Sequence, residues 1–125
     1  MAELLAGVKI QLKSGEQVDA GDYLKGKVMV GLYFSANWCP PCRAFTPKLK
    51  RFYEAVKKSH PEFEIVFVSR DRKAEELFEY YEEHMGDWTF IPFADPIIEQ
   101  LIQHLQEKAA DNPDALFEEW EAFYM

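Results

Sequence analysis

The sequence predicts an α/β domain built on a mostly parallel β-sheet. Two continuous apolar runs, residues 28–34 and 63–68, have the length and composition of strands buried on both faces. Between them, apolar residues recur with the spacing of one helical face. A strand, a helix and a strand in this order form a right-handed βαβ unit on a parallel sheet.

The first half of the chain predicts a hairpin before this unit. Residues 8–12 and 17–19 are short strand candidates on either side of a Ser14-Gly15-Glu16 turn. The helix after the first buried strand contains Pro47, which removes one backbone hydrogen bond, and it ends near residues 59–61. Its inner face is predicted to carry Phe45, Leu49, Phe52, Tyr53 and Val56.

Three further helices are predicted in the second half. The first, at 74–85, is expected to turn Leu77, Phe78, Tyr81 and Met85 inward. Residues 89–93 are extended, and Pro92 marks an edge strand or a loop. A helix at 96–108 is expected to bury Ile97, Ile98, Leu101, Ile102 and Leu105. After a break at 111–114, a last helix is predicted to present Leu116, Phe117, Trp120, Phe123 and Tyr124.

Length and charge limit the classes of function. The 125 residues suit a single domain, residues 1–125, that can bury a core without disulfides or metals. The net charge of −8 disfavours direct binding to nucleic acid or to anionic membranes. The first seven residues lack the pattern of a secretory signal, and no apolar segment approaches the ~20 residues of a membrane span. We therefore expect a protein of the cytoplasm or the nucleus.

The cysteine pair Cys39-Pro40-Pro41-Cys42 is the predicted reactive site. Cys39 falls where the first buried strand has ended and the next helix begins. Active sites in open α/β sheets lie at such strand ends, and the positive end of a helix dipole stabilises a thiolate. We expect Cys39 to titrate below the ~8.5 of a free cysteine and to be the attacking thiol. Cys42, one turn further in, is the expected resolving thiol.

Neighbouring residues are expected to tune this site. Trp38 supplies a flat apolar surface beside Cys39, and Pro40 and Pro41 suit the first helical turn. Arg43 is expected to add positive charge near Cys39.

Two other interpretations of the pair are weaker. A structural disulfide with a two-residue gap closes a very short loop, which stabilises a fold least. A zinc site needs four ligands, and His60, His84 and His104 all lie far from the pair in sequence. The three histidines are interpreted as solvated, Trp88 as a core residue, and no metal or cofactor is expected.

Residues 33–47, in which Trp-Cys-Pro-Pro-Cys-Arg spans 38–43, closely resemble the nucleoredoxin and tryparedoxin branch of the thioredoxin superfamily. The similarity continues through residues 67–72 and 88–93. It implies a thioredoxin-like three-layer fold with a mostly parallel central sheet. It also implies disulfide reductase activity, with Cys39 and Cys42 as nucleophile and resolver.

The sequence departs from that family in two places. Tyr33 occupies the position at which thioredoxin has a buried aspartate that assists the resolving thiol. After the helix that here ends near residue 105, the family continues with a cis-proline loop and an antiparallel strand pair. This sequence lacks both, and Pro92 does not replace the loop. The strand at 28–34 would then have an open edge, which proteins normally avoid. We expect residues 89–93, the last helix or a second copy of the chain, as a homodimer, to cover it.

Two functions follow from the resemblance. The first is a thiol–disulfide oxidoreductase that reduces disulfide-containing proteins and is recharged by a thiol donor, either glutathione or a thioredoxin system. The second is a redox-dependent binding regulator of signalling or transcription-factor proteins with weak or no turnover. The cysteine pair favours the enzyme, and the missing docking loop favours the regulator.

Overall fold

The computed structural model describes Leu5 and residues 7–27, 29–111 and 121–124. None of the helices in these ranges is long and apolar enough to span a bilayer. In chain order the elements are β1 (Lys9–Gln11), β2 (Gln17–Asp19), α1 (Ala20–Tyr23), β3 (Met29–Ser35), α2 (Pro40–Ser59), β4 (Phe63–Ser69), α3 (Ala74–His84), β5 (Thr89–Phe90), α4 (Ile97–Asp111) and β6 (Glu121–Tyr124).

The strands form one mixed sheet in the order β2-β1-β5-β4-β3-β6. Strands β3 and β4 pair in parallel, with Tyr33 opposite Phe67 and Ser35 opposite Ser69. Strand β5 continues the parallel pairing beside β4, and β1 is antiparallel to both β2 and β5. The predicted hairpin and βαβ unit are therefore confirmed.

Two apolar cores lie on opposite faces of the sheet, because successive side chains of a strand point to opposite sides. Leu32 and Phe34 of β3 pack in the core that Leu24 and Leu101 close from the side of α1 and α4. Tyr33 packs in the other core, which is closed by α2 and α3 and includes Leu49, Tyr53, Leu77, Tyr80 and Trp88. The three-layer arrangement implied by the resemblance is confirmed.

The C-terminal segment differs from the prediction. Residues 121–124 form strand β6, which pairs in parallel with β3 from Gly31 to Phe34, so the helix predicted through Phe123 and Tyr124 is wrong there. An unpaired edge leaves backbone donors and acceptors without partners, and pairing satisfies them better than a short isolated helix would. The predicted helical residues Leu116, Phe117 and Trp120 lie outside the described residues.

Coverage of the β3 edge follows from this pairing. The edge is covered from within the chain, but by a strand rather than by the predicted helix. Residues 89–93 do not cover it, since β5 lies on the far side of β4. Since β6 covers this edge, a homodimer is not needed to cover it.

Helical spacing also overestimated burial at two aromatic residues. Phe52 is 51% exposed and Phe78 is 42% exposed, although each keeps an edge-to-face contact with a core ring, Phe63 and Phe90 respectively. Both lie at the border of a buried stripe, where spacing alone does not separate core from rim. Pro92 lies in the loop after β5, and none of the peptide bonds described is cis.

Candidate redox site

Cys39 is the N-cap residue of α2 and follows the loop that leaves β3. It is joined to Cys42 by a disulfide, with the two Cα atoms 5.2 Å apart. The backbone N–H of Cys42 donates to Cys39 Sγ over 3.4 Å, and Pro40 and Pro41 fill the first two helical positions. The sulfur of Cys39 therefore lies at the positive end of a long helix, where negative charge is stabilised.

The two sulfurs differ in access to solvent. Cys42 is 2% exposed and packs under the first turn of α2, whereas Cys39 is only partly buried. A large substrate can approach Cys39 from outside the fold. Cys42 is screened from solvent by the fold.

Trp38 lies on the surface directly before Cys39 and is 51% exposed. Its indole N–H donates to the backbone carbonyl of Arg70 over 3.3 Å. The guanidinium of Arg72 lies 5.8 Å from the centre of the indole ring. The segment after β4 thus orients Trp38 while leaving half of it open to solvent.

Arg43 is exposed and contacts α3. Its Nη2 lies 3.3 Å from Nε2 of His84 in α3, so its charge is directed along the outside of the helix pair. His84 is therefore engaged by Arg43, which differs from the interpretation of a solvated histidine. His104 is also only partly exposed, and its Nε2 is buried without a partner among the described residues.

The loop after β4 is tied to residues 36–39, the redox loop, which carries Trp38 and Cys39. The N–H of Arg70 donates to the Ser35 carbonyl over 2.9 Å. The carboxylate of Asp71 accepts from the Asn37 N–H and from the Ser69 hydroxyl, each over 2.7 Å. Burial raises the pKa of Asp71 above its ordinary value, against these two hydrogen bonds. Sequence reasoning did not identify these residues, although their place at the end of a parallel strand was an available signal.

Four buried hydroxyls lie behind the cysteine pair. Thr46 donates to the Cys42 carbonyl over 2.8 Å, and its Oγ1 lies 2.7 Å from the Tyr33 hydroxyl and 2.5 Å from that of Tyr80. Ser35 continues the cluster, 2.7 Å from the Tyr80 hydroxyl. Burial raises the pKa of Tyr33 to about 12. The position of thioredoxin's buried aspartate thus holds a neutral donor in a cluster of hydroxyls.

Within the described ranges, no group of three or more His, Cys, Asp or Glu side chains could hold a metal ion. The three histidines lie on α4, at the end of α3 and just after α2.

A disulfide at the start of the helix that follows a parallel strand is typical of thioredoxin-like proteins. A family model described as thioredoxin-like matches residues 26–111. The chain belongs to this thioredoxin-like family.

Curated relatives show which members of the family the chain is similar to. The chain is 48% identical over 84 residues to probable nucleoredoxin 1 of Arabidopsis thaliana, which covers 67% of this chain and 14% of that protein. It is 42% identical over 94 residues to nucleoredoxin of Danio rerio, covering 75% of this chain and 21% of the relative. Tryparedoxin of Trypanosoma brucei brucei is 42% identical over 95 residues, or 74% of this chain and 61% of the relative. The chain therefore spans only a fraction of the nucleoredoxins that it matches.

Solved structures agree with this placement. Thioredoxin from Wuchereria bancrofti superposes with a TM-score of 0.78 at 46% identity, covering 82% of this chain and 69% of that one. Tryparedoxin II in complex with glutathionylspermidine gives a TM-score of 0.72 at 28% identity, covering 90% and 92% of the two chains. The thioredoxin-like fold and the similarity to nucleoredoxin and tryparedoxin are confirmed.

Proposed function

We propose that the chain reduces protein disulfides through a cycle of Cys39 and Cys42. The Cys39 thiolate attacks one sulfur of the substrate disulfide, and the other substrate sulfur leaves and takes up a proton. Cys42 then loses its proton and attacks Cys39 Sγ, which releases the second substrate thiol. The products are a substrate dithiol and the Cys39–Cys42 disulfide, and a thiol donor returns two electrons to this disulfide.

The observation that carries this proposal is the asymmetry of the disulfide. Cys39 caps α2 and is accessible, whereas Cys42 is buried and donates its N–H to the sulfur of Cys39. This arrangement favours attack by Cys39 on an external disulfide and attack by Cys42 on the resulting mixed disulfide.

Four neighbours complete the proposed site. Trp38 offers an apolar surface for the substrate, and Pro40 and Pro41 fix the chain between the two cysteines. Arg43 supplies a positive charge at the outer rim, beside His84.

Reduction of insulin by a limiting thiol donor tests the proposal. We expect turnover by the wild type and none by Cys39→Ser. Cys42→Ser should instead accumulate a mixed disulfide with insulin, visible on a non-reducing gel. Equal turnover by all three proteins, each shown to be folded by circular dichroism, would contradict it. Supplying reduced glutathione in one assay and thioredoxin with its reductase in another identifies the donor.

A redox-dependent binding module is the second candidate. It is favoured by strand β6, which pairs in parallel with β3 at the edge that the antiparallel strand pair covers in the family. The partners would be signalling or transcription regulators, held in one oxidation state of the pair and released in the other. Pull-downs with the oxidised protein and with the reduced protein test this, and identical partner sets would contradict it.

A further inference from the structure

A groove with a volume of about 890 Å³ lies beside the segment that holds Trp38. One wall is the loop after β4, which contains Arg70 and Arg72, and the other wall is the start of α4 with the loop before it. The indole of Trp38 contacts both arginines, through the Arg70 carbonyl and the Arg72 guanidinium. Two residues of the groove wall therefore contact Trp38, the residue directly before Cys39.

Charges of opposite sign line the two walls. Arg70 and Arg72 are exposed on the wall next to Trp38, and Asp95 and Glu99 lie on the wall formed by α4. None of these four side chains has an oppositely charged group within 4 Å in the described part of the chain. Arg70 and Glu99 are exposed to a ligand. Asp95 Oδ1 also accepts from the Ile97 N–H over 3.0 Å, and Arg72 lies over the Trp38 ring, so a ligand would share these two groups with the protein.

A third carboxylate in the groove, Asp71, is already hydrogen-bonded within the protein. Its Oδ1 accepts from the Asn37 N–H in the redox loop, and its Oδ2 accepts from the Ser69 hydroxyl at the end of β4. The apolar part of the lining comes from half-buried residues of α4, Ile98 and Ile102. A ligand suited to this groove has apolar surface, a negative group near Trp38 and a positive group further away.

We propose that the groove binds the segment of a substrate protein that flanks its disulfide. It favours substrates with a carboxylate side chain next to the reacting cysteine and a basic side chain a few residues further on. A polypeptide provides both charges in a fixed order, and an extended chain advances roughly 3.3 Å per residue, so a few residues span a groove of this size. This inference rests on the proposed reductase function and adds the class of substrate.

Two peptides of identical composition give the test. Each contains one internal disulfide; in the first, Glu directly follows the reacting cysteine and Lys comes four residues later, and in the second these two residues are exchanged. A third peptide carries Ser at both places. We expect kcat/KM for the first peptide to exceed that for the second by about three- to tenfold, because exposed charge pairs each contribute modestly. In about 1 M salt, where screening is strong, the ratio should approach one.

Substitutions in the protein assign the effect to the groove. The double variant Arg70→Glu with Arg72→Glu should reverse the preference between the two charged peptides. Lys48→Glu changes an exposed charge on α2 outside the groove and should keep the wild-type ratio.

The outcomes separate this inference from the function it rests on. Equal rates for the two charged peptides, or a ratio unchanged in the arginine double variant, would contradict the proposed specificity of the groove. Neither result would contradict the proposed reductase function. No reduction of any of the three peptides or of insulin would overturn the proposed function and this inference with it.

Discussion

The hydroxyl of Tyr33 lies 2.7 Å from Oγ1 of Thr46, which in turn donates to the carbonyl of Cys42. Tyr33 belongs to β3 and Thr46 to the second turn of α2, so this contact fixes the start of the helix on the sheet. Both side chains are fully buried. The position of Cys42, the proposed resolving cysteine, is thus held by hydroxyl groups rather than by an ionised side chain.

Tyr33→Phe tests whether this contact is structural. The free energy of unfolding should fall by about 1 kcal/mol, since the Tyr33 hydroxyl loses its contact with Thr46 and its longer contact with the Cys42 carbonyl over 3.4 Å. Thr46 keeps Tyr80 and the Cys42 carbonyl as partners. With a pKa of about 12, the Tyr33 phenol stays protonated at neutral pH. The pH profile of insulin reduction between about pH 6 and pH 9 should therefore keep its shape in the variant.

A denaturant titration and a pH–rate series give the two readouts. Tyr23→Phe, which removes a phenol that donates to Glu64 away from the site, is the matched control. An ionisation that disappears from the rate profile only in Tyr33→Phe would show that Tyr33 transfers a proton.

Alkylation should distinguish the two thiols of the reduced protein. Iodoacetamide at limiting concentration should label Cys39 at least about tenfold faster than Cys42, because only Cys39 is both accessible and placed at a helix start. Peptide mass spectrometry after digestion measures the ratio. In denaturant the two labels should become equal, and an equal ratio in the folded protein would contradict the assigned roles.

Asp71 should lower the free energy of unfolding as the pH rises through its pKa. Its pKa is raised in the folded chain, mainly by burial, so the folded state holds the proton more tightly than the unfolded state. The unfolding free energy therefore loses a contribution as pH rises from the ordinary aspartate pKa through the raised one. Asp71→Asn removes this fall and keeps an acceptor for the Asn37 N–H.

Urea titrations of the wild type and the variant at a series of pH values from about 3.5 to 7 measure the difference. The wild type should lose stability relative to Asp71→Asn as pH increases. Glu79→Gln, an exposed change on α3, serves as control. A constant difference across the series would show that the folded environment does not hold the proton.

Gly86 should not tolerate a side chain. A Cβ at this position would lie 2.9 Å from Cζ3 and 3.0 Å from Cε3 of Trp88, whose ring is fully buried and cannot move aside. Gly86→Ala should cost about 1–3 kcal/mol of unfolding free energy. Gly26→Ala is the matched control, since a Cβ there meets nothing within 4 Å and should change stability little. Equal midpoints of thermal unfolding for the two variants would contradict this packing.

The sequence predicted the parts of the fold that long local patterns determine. Strands β3 and β4 are continuous apolar runs and α2 has sustained helical spacing, so few alternatives fit. The segment at 121–124 is short, and its aromatic residues suit a helix as well as a strand. Pairing with β3 decides between the two, and that information lies far away in the sequence.

The candidate site likewise contains residues that a sequence motif reveals and residues that only the fold brings together. The two cysteines and Trp38 are adjacent in sequence, so a motif reveals them. Arg70 and Asp71 approach the redox loop only because β3 and β4 pair with Ser35 opposite Ser69. Local periodicity predicts that two strands exist but does not fix their register, so these contacts became visible only in the structure.

Neighbouring strands of the sheet differ in how many residues they pair. Strands β3 and β4 pair along their full length, whereas β1 is joined to β5 in the described strands through one register pair, Gln11 with Phe90. Local opening starts where few backbone hydrogen bonds must break, so amide hydrogens of the β1–β2 hairpin should exchange with solvent well before those of β3 and β4. The redox loop is anchored to the slow-exchanging pair and can keep its geometry while the hairpin opens and closes.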